Sequence, residues 1–184
     1  MNENNKISFL INSFLLQYPS NEWRETLQEV LKEAERIKHE AYGRQIIKFL
    51  NYVEEVDELD LEELYVRTFD FTKSTNLYLT YYEYRDDRKR GEALIGIKKR
   101  YKEAGISLNN KELPDFLPVV LEYTAISGEE DLLANYKIAV KNVFENLLNT
   151  NNPYTCVLQA ILLTLEQPCS IGYETAEVLG GAAK

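Results

Sequence analysis

Hydrophobic residues recur along this chain at three- and four-residue intervals, which is the spacing of helices with one buried face. Ile7, Leu10, Ile11, Phe14 and Leu15 line one side of a first helix that Tyr18-Pro19 ends. Ser20 is placed to cap a second helix, whose stripe is Trp23, Leu27, Val30, Ala34, Ile37 and Ala41. Gly43 marks a break before a third, bearing Ile46, Leu50 and Val53. In the acidic run "EEVDELDLEE" (Glu54 to Glu63), Asp60 and Glu63 fit a capping box for a fourth helix carrying Leu64, Tyr65, Thr68 and Phe69.

"TKSTN" (Thr72 to Asn76) reads as a loop, and Tyr78, Tyr81 and Tyr82 then return to helical spacing. Asp86 or Asp87 is placed to cap the next helix, which shows Leu94, Ile97, Tyr101 and Ala104 before Gly105, a glycine at the C′ position. In "KELPDFLPVVLEY", Asp115 as N-cap would put Pro118 at N3, where a missing N–H deprives the helix of no bond. Ser127 with Glu130 suggests a further capping box, followed by the stripe Leu133, Tyr136, Val140, Val143, Phe144 and Leu147. Asn152 and Pro153 open a last helix, "CVLQAILLTL", that is apolar nearly all round and should be central. The pattern predicts an all-α fold of roughly eight helices around one core, spanning residues 1–170, with an irregular tail over 171–184.

Composition narrows what such a fold can do. The 184 residues carry 45% hydrophobic and 28% charged side chains, ordinary for a single globular domain. No apolar run approaches the ~20 residues a membrane-spanning helix needs, and the N-terminal stretch lacks a basic region before its apolar patch. A cytoplasmic protein without stable membrane insertion is expected. The net charge of −9 and pI of about 4.8 disfavour nucleic acid and favour basic partners such as basic peptides.

The chemistry-bearing inventory is thin. Cys156, Cys169 and the single histidine, His39, cannot assemble a zinc site at the usual spacing. The cysteines read as free thiols, and His39 as a solvated residue. The acidic run has no glycine for a calcium-loop turn. There is no Walker loop, no GxGxxG after a strand and no HExxH. No metal, cofactor, catalytic residue or small-molecule substrate is expected. The residues alone leave open a small helical enzyme with Asp115 or Glu112 as general base, or a structural or regulatory helical subunit.

Two clusters stand out. "YVRTFDFTKSTNLYLTYYEY" (Tyr65 to Tyr84) holds more aromatics than one helical face can bury, and the excess suits a groove that accepts an amphipathic helix. "RDDRKRGEAL" (Arg85 to Leu94) is a charged helix start beside it.

Tyr65 to Tyr123 resembles the assembly chaperones of respiratory nitrate reductase, the NarJ-type proteins, within a wider all-helical group of molybdoenzyme maturation chaperones. The strings that carry the resemblance are FDF, LYLTY, the charged run ending R-G-x-A-L, and ELPD-x-LP. The wider group's Y/W-x-x-L-F signature resembles Tyr65-Val66-Arg67-Thr68-Phe69, with Thr68 replacing leucine. Its E-x-P-x-D-H signature resembles Glu112-Leu113-Pro114-Asp115-Phe116, one residue shorter. Phe116 stands where that group has histidine, so no role for a titrating imidazole carries over there.

The resemblance implies a non-enzymatic chaperone that binds the N-terminal, leader-like peptide of the nitrate reductase catalytic subunit and assists molybdenum cofactor insertion. Candidate peptide-binding residues are Tyr65, Phe69, Asp70, Tyr78, Tyr81, Glu112, Pro114, Asp115 and Phe116. The aromatics would seat an apolar helical face, and Asp70, Glu112 and Asp115 would meet its basic residues from a rigid acidic corner.

Overall fold

The computed structural model describes residues 1–37, 39–108 and 112–166. The predicted tail over 171–184 and Cys169 lie outside the described residues. Among these, ten α-helices and one π-helical turn form the molecule, and the β content is a single isolated bridge between Tyr78 and Phe116.

The helices are α1 (Glu3–Leu15), α2 (Asn21–Glu35), α3 (Glu40–Glu55), α4 (Glu58–Tyr65), α5 (Leu79–Tyr84), α6 (Lys89–Glu103), α7 (Leu117–Ser127), α8 (Asp131–Asn135), α9 (Lys137–Leu147) and α10 (Tyr154–Glu166). The π turn, Val66–Asp70, continues α4 directly. The apolar last helix is central as its pattern required: α10 packs on α1, α3 and α9, and α1 also lies across α7. Val157, Leu158, Ala160 and Ile161 are fully buried there, against Phe9, Leu15, Ile46, Phe49, Val140 and Val143 in the same core.

Several caps follow the sequence. Ser20 Oγ accepts from Trp23 N (3.4 Å), Asn152 Oδ1 accepts from Tyr154 N (3.0 Å), and Gly105 sits just past α6 at φ +74°. Asp87 Oδ1 accepts from Lys89 N (2.8 Å) at the start of α6.

Other expectations are corrected. Ten α-helices stand against the roughly eight expected, and one of the additional ones arises where Tyr136 divides a predicted stripe into α8 and α9. Gly43 lies inside α3, whose N-cap is His39: Nδ1 accepts from Tyr42 N (2.9 Å), so this histidine is a half-buried cap and not a free surface group. The burial of Tyr42, Ile46, Phe49, Leu50 and Val53 outweighs the ~1 kcal/mol a helical glycine costs. Asp57 caps α4, one turn before the expected Asp60, by accepting from Leu59 N (3.0 Å). Ser127 ends α7, with Gly128 at φ +78° after it, and does not open a helix. Leu10 is exposed, and the inner face of α1 carries Asn5, Ser8, Asn12 and Ser13 instead.

The proline corner also shifts. Phe116 is the N-cap of α7 and Pro118 falls at N2, still among the positions whose N–H groups have no intrahelical partner. Asp115 precedes the helix and points inward.

Candidate functional site

Three chain segments that the sequence keeps far apart meet at one concave face. The end of α1 brings Ser13, Gln17 and Tyr18. The end of α4 and the π turn bring Tyr65, Phe69 and Asp70. The corner before α7 brings Glu112 and Phe116, and the first turns of α7 bring Val119 and Glu122. Together with Leu77 and Tyr78 they line a cleft of about 510 Å³.

The π turn shapes its floor. Phe71 N donates to Val66 O (3.3 Å), a five-residue step that releases the carbonyls of Arg67 and Thr68 from the helical ladder. Thr72 Oγ1 donates to Arg67 O (3.1 Å) and Thr75 Oγ1 to Thr68 O, so neither carbonyl is stranded. Thr68 itself turns inward, where its hydroxyl accepts from Asn152 Nδ2 (2.7 Å) at the start of α10. Threonine in place of the wider group's leucine therefore has a specific partner.

Tyr65 and Phe69 are 5% and 3% exposed and form a floor, not protruding anchors. An aromatic column runs inward from them. Tyr18 meets Tyr65 edge-on at 5.6 Å, Tyr65 meets Phe69 at 5.1 Å, and Phe69 meets Tyr154 at 4.9 Å. The Tyr65 hydroxyl donates to Leu16 O (3.0 Å), tying the floor to the end of α1.

The wall opposite is built by the isolated bridge. Leu79 N donates to Asp115 O (3.0 Å) and Leu117 N to Leu77 O (2.8 Å), which brings the Tyr78 and Phe116 rings to 5.4 Å. Tyr78 Oη donates to Glu112 Oε2 across the rim (3.0 Å). Burial and this hydrogen bond push the Tyr78 hydroxyl up to about 12, so it is neutral near pH 7. The described residues lining the cleft include Asp70, Glu112 and Glu122 and no basic side chain. Asp70 reaches solvent, yet partial burial raises its carboxyl above the ordinary value. The result is an anionic rim over an apolar floor.

The candidate residues thus divide. Tyr65, Phe69, Asp70, Tyr78, Glu112 and Phe116 share the cleft. Tyr81 lines a neighbouring recess with Lys73, Asp86 and Arg90, beneath the guanidinium groups of Arg85 (5.4 Å) and Arg90 (5.6 Å). Pro114 is buried and its carbonyl accepts from Tyr101 Oη (2.7 Å).

Asp115 is the principal correction. Its side chain is 0% exposed, and no rim position is available to it. Asp115 Oδ2 accepts from Thr80 N (3.1 Å) and Thr80 Oγ1 (2.5 Å) and lies 3.5 Å from Arg90 Nη2. Arg90 Nε donates to Thr80 Oγ1 (3.0 Å), closing a three-residue network between α5, α6 and the proline corner. Asp115 fixes the corner, and Glu112 alone of its two acids faces the cleft. The sequence reading missed Tyr18, Val119 and Glu122. Val119 and Glu122 follow Phe116 at three-residue steps, a spacing that marks one helical face. Nothing local marks Tyr18, whose neighbour Pro19 suggested only a helix end.

No described group of three or more His, Cys, Asp or Glu side chains is placed to hold a metal ion, and no described helix is long and apolar enough to cross a membrane. Cys156 is a half-buried free thiol whose pKa is raised by burial.

The fold is all-helical and superposes on an Archaeoglobus fulgidus crystal structure described as a redox enzyme maturation protein, with a TM-score of 0.65 over 91% of this chain and 96% of the other. At 18% identity this likeness speaks to fold alone. The chain belongs to the nitrate reductase delta subunit family, which matches residues 20–154. It is 32% identical to a Bacillus subtilis (strain 168) protein named as a nitrate reductase molybdenum cofactor assembly chaperone, NarJ, over 88% of this chain and 89% of that one. It is also 32% identical to the Escherichia coli (strain K12) NarJ chaperone, over 71% of this chain and 56% of that protein. The chain is a chaperone of the NarJ type and not an enzyme, which sets aside Asp115 or Glu112 as a general base.

Proposed function

We propose that this chain binds the N-terminal, leader-like peptide of the nitrate reductase catalytic subunit in the cytoplasm and assists insertion of the molybdenum cofactor and assembly of that enzyme. The observation that carries the reading is the cleft itself: a floor of Tyr65, Phe69 and Phe116 beneath Asp70, Glu112 and Glu122, with no basic residue among the described lining. The names of the Bacillus subtilis and Escherichia coli relatives support the enzyme and the cofactor.

An amphipathic helix carrying Lys or Arg beside an apolar face matches this surface. Its apolar anchors displace water from the floor and supply affinity, while its cations steer it to the rim. A peptide that orders only on binding loses part of that energy to its own ordering, so the complex is of modest affinity and can release.

The test is calorimetric titration of the chain with the N-terminal peptide of its cognate catalytic subunit. Saturable binding that weakens with salt is expected. Asp70→Asn and Glu112→Gln should each weaken it about two- to fivefold, the size of a rim ion pair. Absence of heat at high micromolar peptide, or affinity indifferent to both substitutions and to salt, would overturn the assignment.

A further inference from the structure

The strongest departure from the molecule's acidic character lies on α6. This helix carries six basic residues against Glu92 and Glu103 in a chain of net charge −9. Three of the six are engaged elsewhere: Arg90 with Asp115, Arg100 with Asp131 at 2.5 Å, and Lys99 with Glu103 at 3.7 Å. Lys98 and Lys102, one helical turn apart and both exposed, have no acidic partner among the described residues. They follow Ile95 along α6, three and seven residues on, and that isoleucine is left 72% exposed.

These side chains border a second furrow of about 490 Å³, closed on its far side by Ile106, Ser107 and Leu108 and floored by Tyr101. Its described lining has three lysines and no carboxylate, the inverse of the cleft. A smaller recess joins the two, sharing Ile106–Leu108 with the furrow and Val119 and Glu122 with the cleft.

We infer that the α6 furrow is a second polypeptide-binding site, taking an acidic segment with an apolar face from a protein partner. Charge complementarity selects the occupant. Carboxylates would pair with Lys98 and Lys102, and a short aliphatic side chain would cover Ile95 and meet Ile106 and Leu108. An anionic bilayer fits less well, because the apolar surface is a concave furrow with one protruding aliphatic and the chain as a whole is strongly negative. Continuity with the cleft lets one extended polypeptide cross both sites with its basic and acidic segments in opposite grooves. The inference stands without that continuity, since the furrow has its own charge and its own apolar lining.

The test uses the full chain and two synthetic helical peptides with the same leucine face, one flanked by glutamates and the other by glutamines. The glutamate peptide should bind at least about tenfold more tightly, with affinity falling as salt rises. Lys98→Glu/Lys102→Glu should reduce that binding about tenfold or more, and Ile95→Ser should reduce it severalfold. Both variants change only exposed side chains, so circular dichroism should match the parent. Binding of the nitrate reductase leader peptide to the cleft should be unchanged in them, which separates failure of this inference from failure of the cleft assignment. Equal binding of the two peptides, or binding indifferent to the lysine reversal, would overturn it. So would lysine-dependent sedimentation with phosphatidylglycerol vesicles in the absence of peptide binding.

Discussion

Replacing Asp115 with alanine should unfold the proline corner more than it should weaken ligand binding at the cleft surface. The carboxylate is fully buried and accepts two hydrogen bonds from Thr80, itself fully buried, while Arg90 lies 3.5 Å away with its side chain 22% exposed. Hydrogen bonds to a charged group contribute about 1.5–3 kcal/mol, and a buried donor left without a partner costs about 1–3 kcal/mol. Thr80 N would be such a donor, because Thr80 is fully buried. Arg90 can turn toward solvent, so its share sits at the low end of the range for broken pairs. A loss of about 3 kcal/mol follows, which for a domain of this size lowers the melting temperature by about 6–12 °C. Asp115→Asn keeps the volume and an acceptor for Thr80 N and should lose about half as much. Thermal unfolding followed by far-ultraviolet circular dichroism measures both. An alanine variant that melts within about 2 °C of the parent yet no longer binds leader peptide would refute the reasoning, because Asp115 would then be a contact and not a strut.

Phe69→Ala removes a floor ring packed on Tyr65 and Tyr154 and should cost about 3–5 kcal/mol; its melting temperature must be measured before any binding defect is interpreted. Thr68→Leu supplies the wider group's residue but strands Asn152 Nδ2 at the start of α10, so a loss of about 1–3 kcal/mol is expected in urea unfolding. Asp70→Asn should separate stability from binding. Burial raises the Asp70 carboxyl in the folded state, so its stabilising contribution is present at low pH and lost as pH rises through the raised value. At pH 7 the asparagine variant should therefore melt slightly higher than the parent while binding a basic peptide more weakly, and the stability gain should vanish below the carboxylate range. A variant less stable than the parent at pH 7 would contradict that sign.

The helical class, the central position of α10 and several caps were legible because each depends on neighbours within one or two turns. The run CVLQAILLTL, apolar nearly all round, marked the last helix as central, and Asn152, Ser20 and Gly105 bound their helices through bonds to residues two or three away. Of the candidates that the resemblance named, Tyr65, Phe69, Asp70, Tyr78, Glu112 and Phe116 line the cleft. Other features depend on contacts across long stretches of chain. Asp115 appeared as an N-cap and a rim acid because its local string allows both; only its meeting with Thr80 and Arg90, brought by the bridge at Tyr78 and Phe116, turns it inward. Glu112, three residues earlier, stays exposed at the rim, where it accepts from the Tyr78 hydroxyl. Tyr18 joined the cleft because its ring packs edge-on against Tyr65, whose hydroxyl reaches Leu16, contacts that no local spacing encodes. Local chemistry chose the helices, but which acids face a partner was decided by packing, because burying a carboxylate requires donors that distant segments must supply.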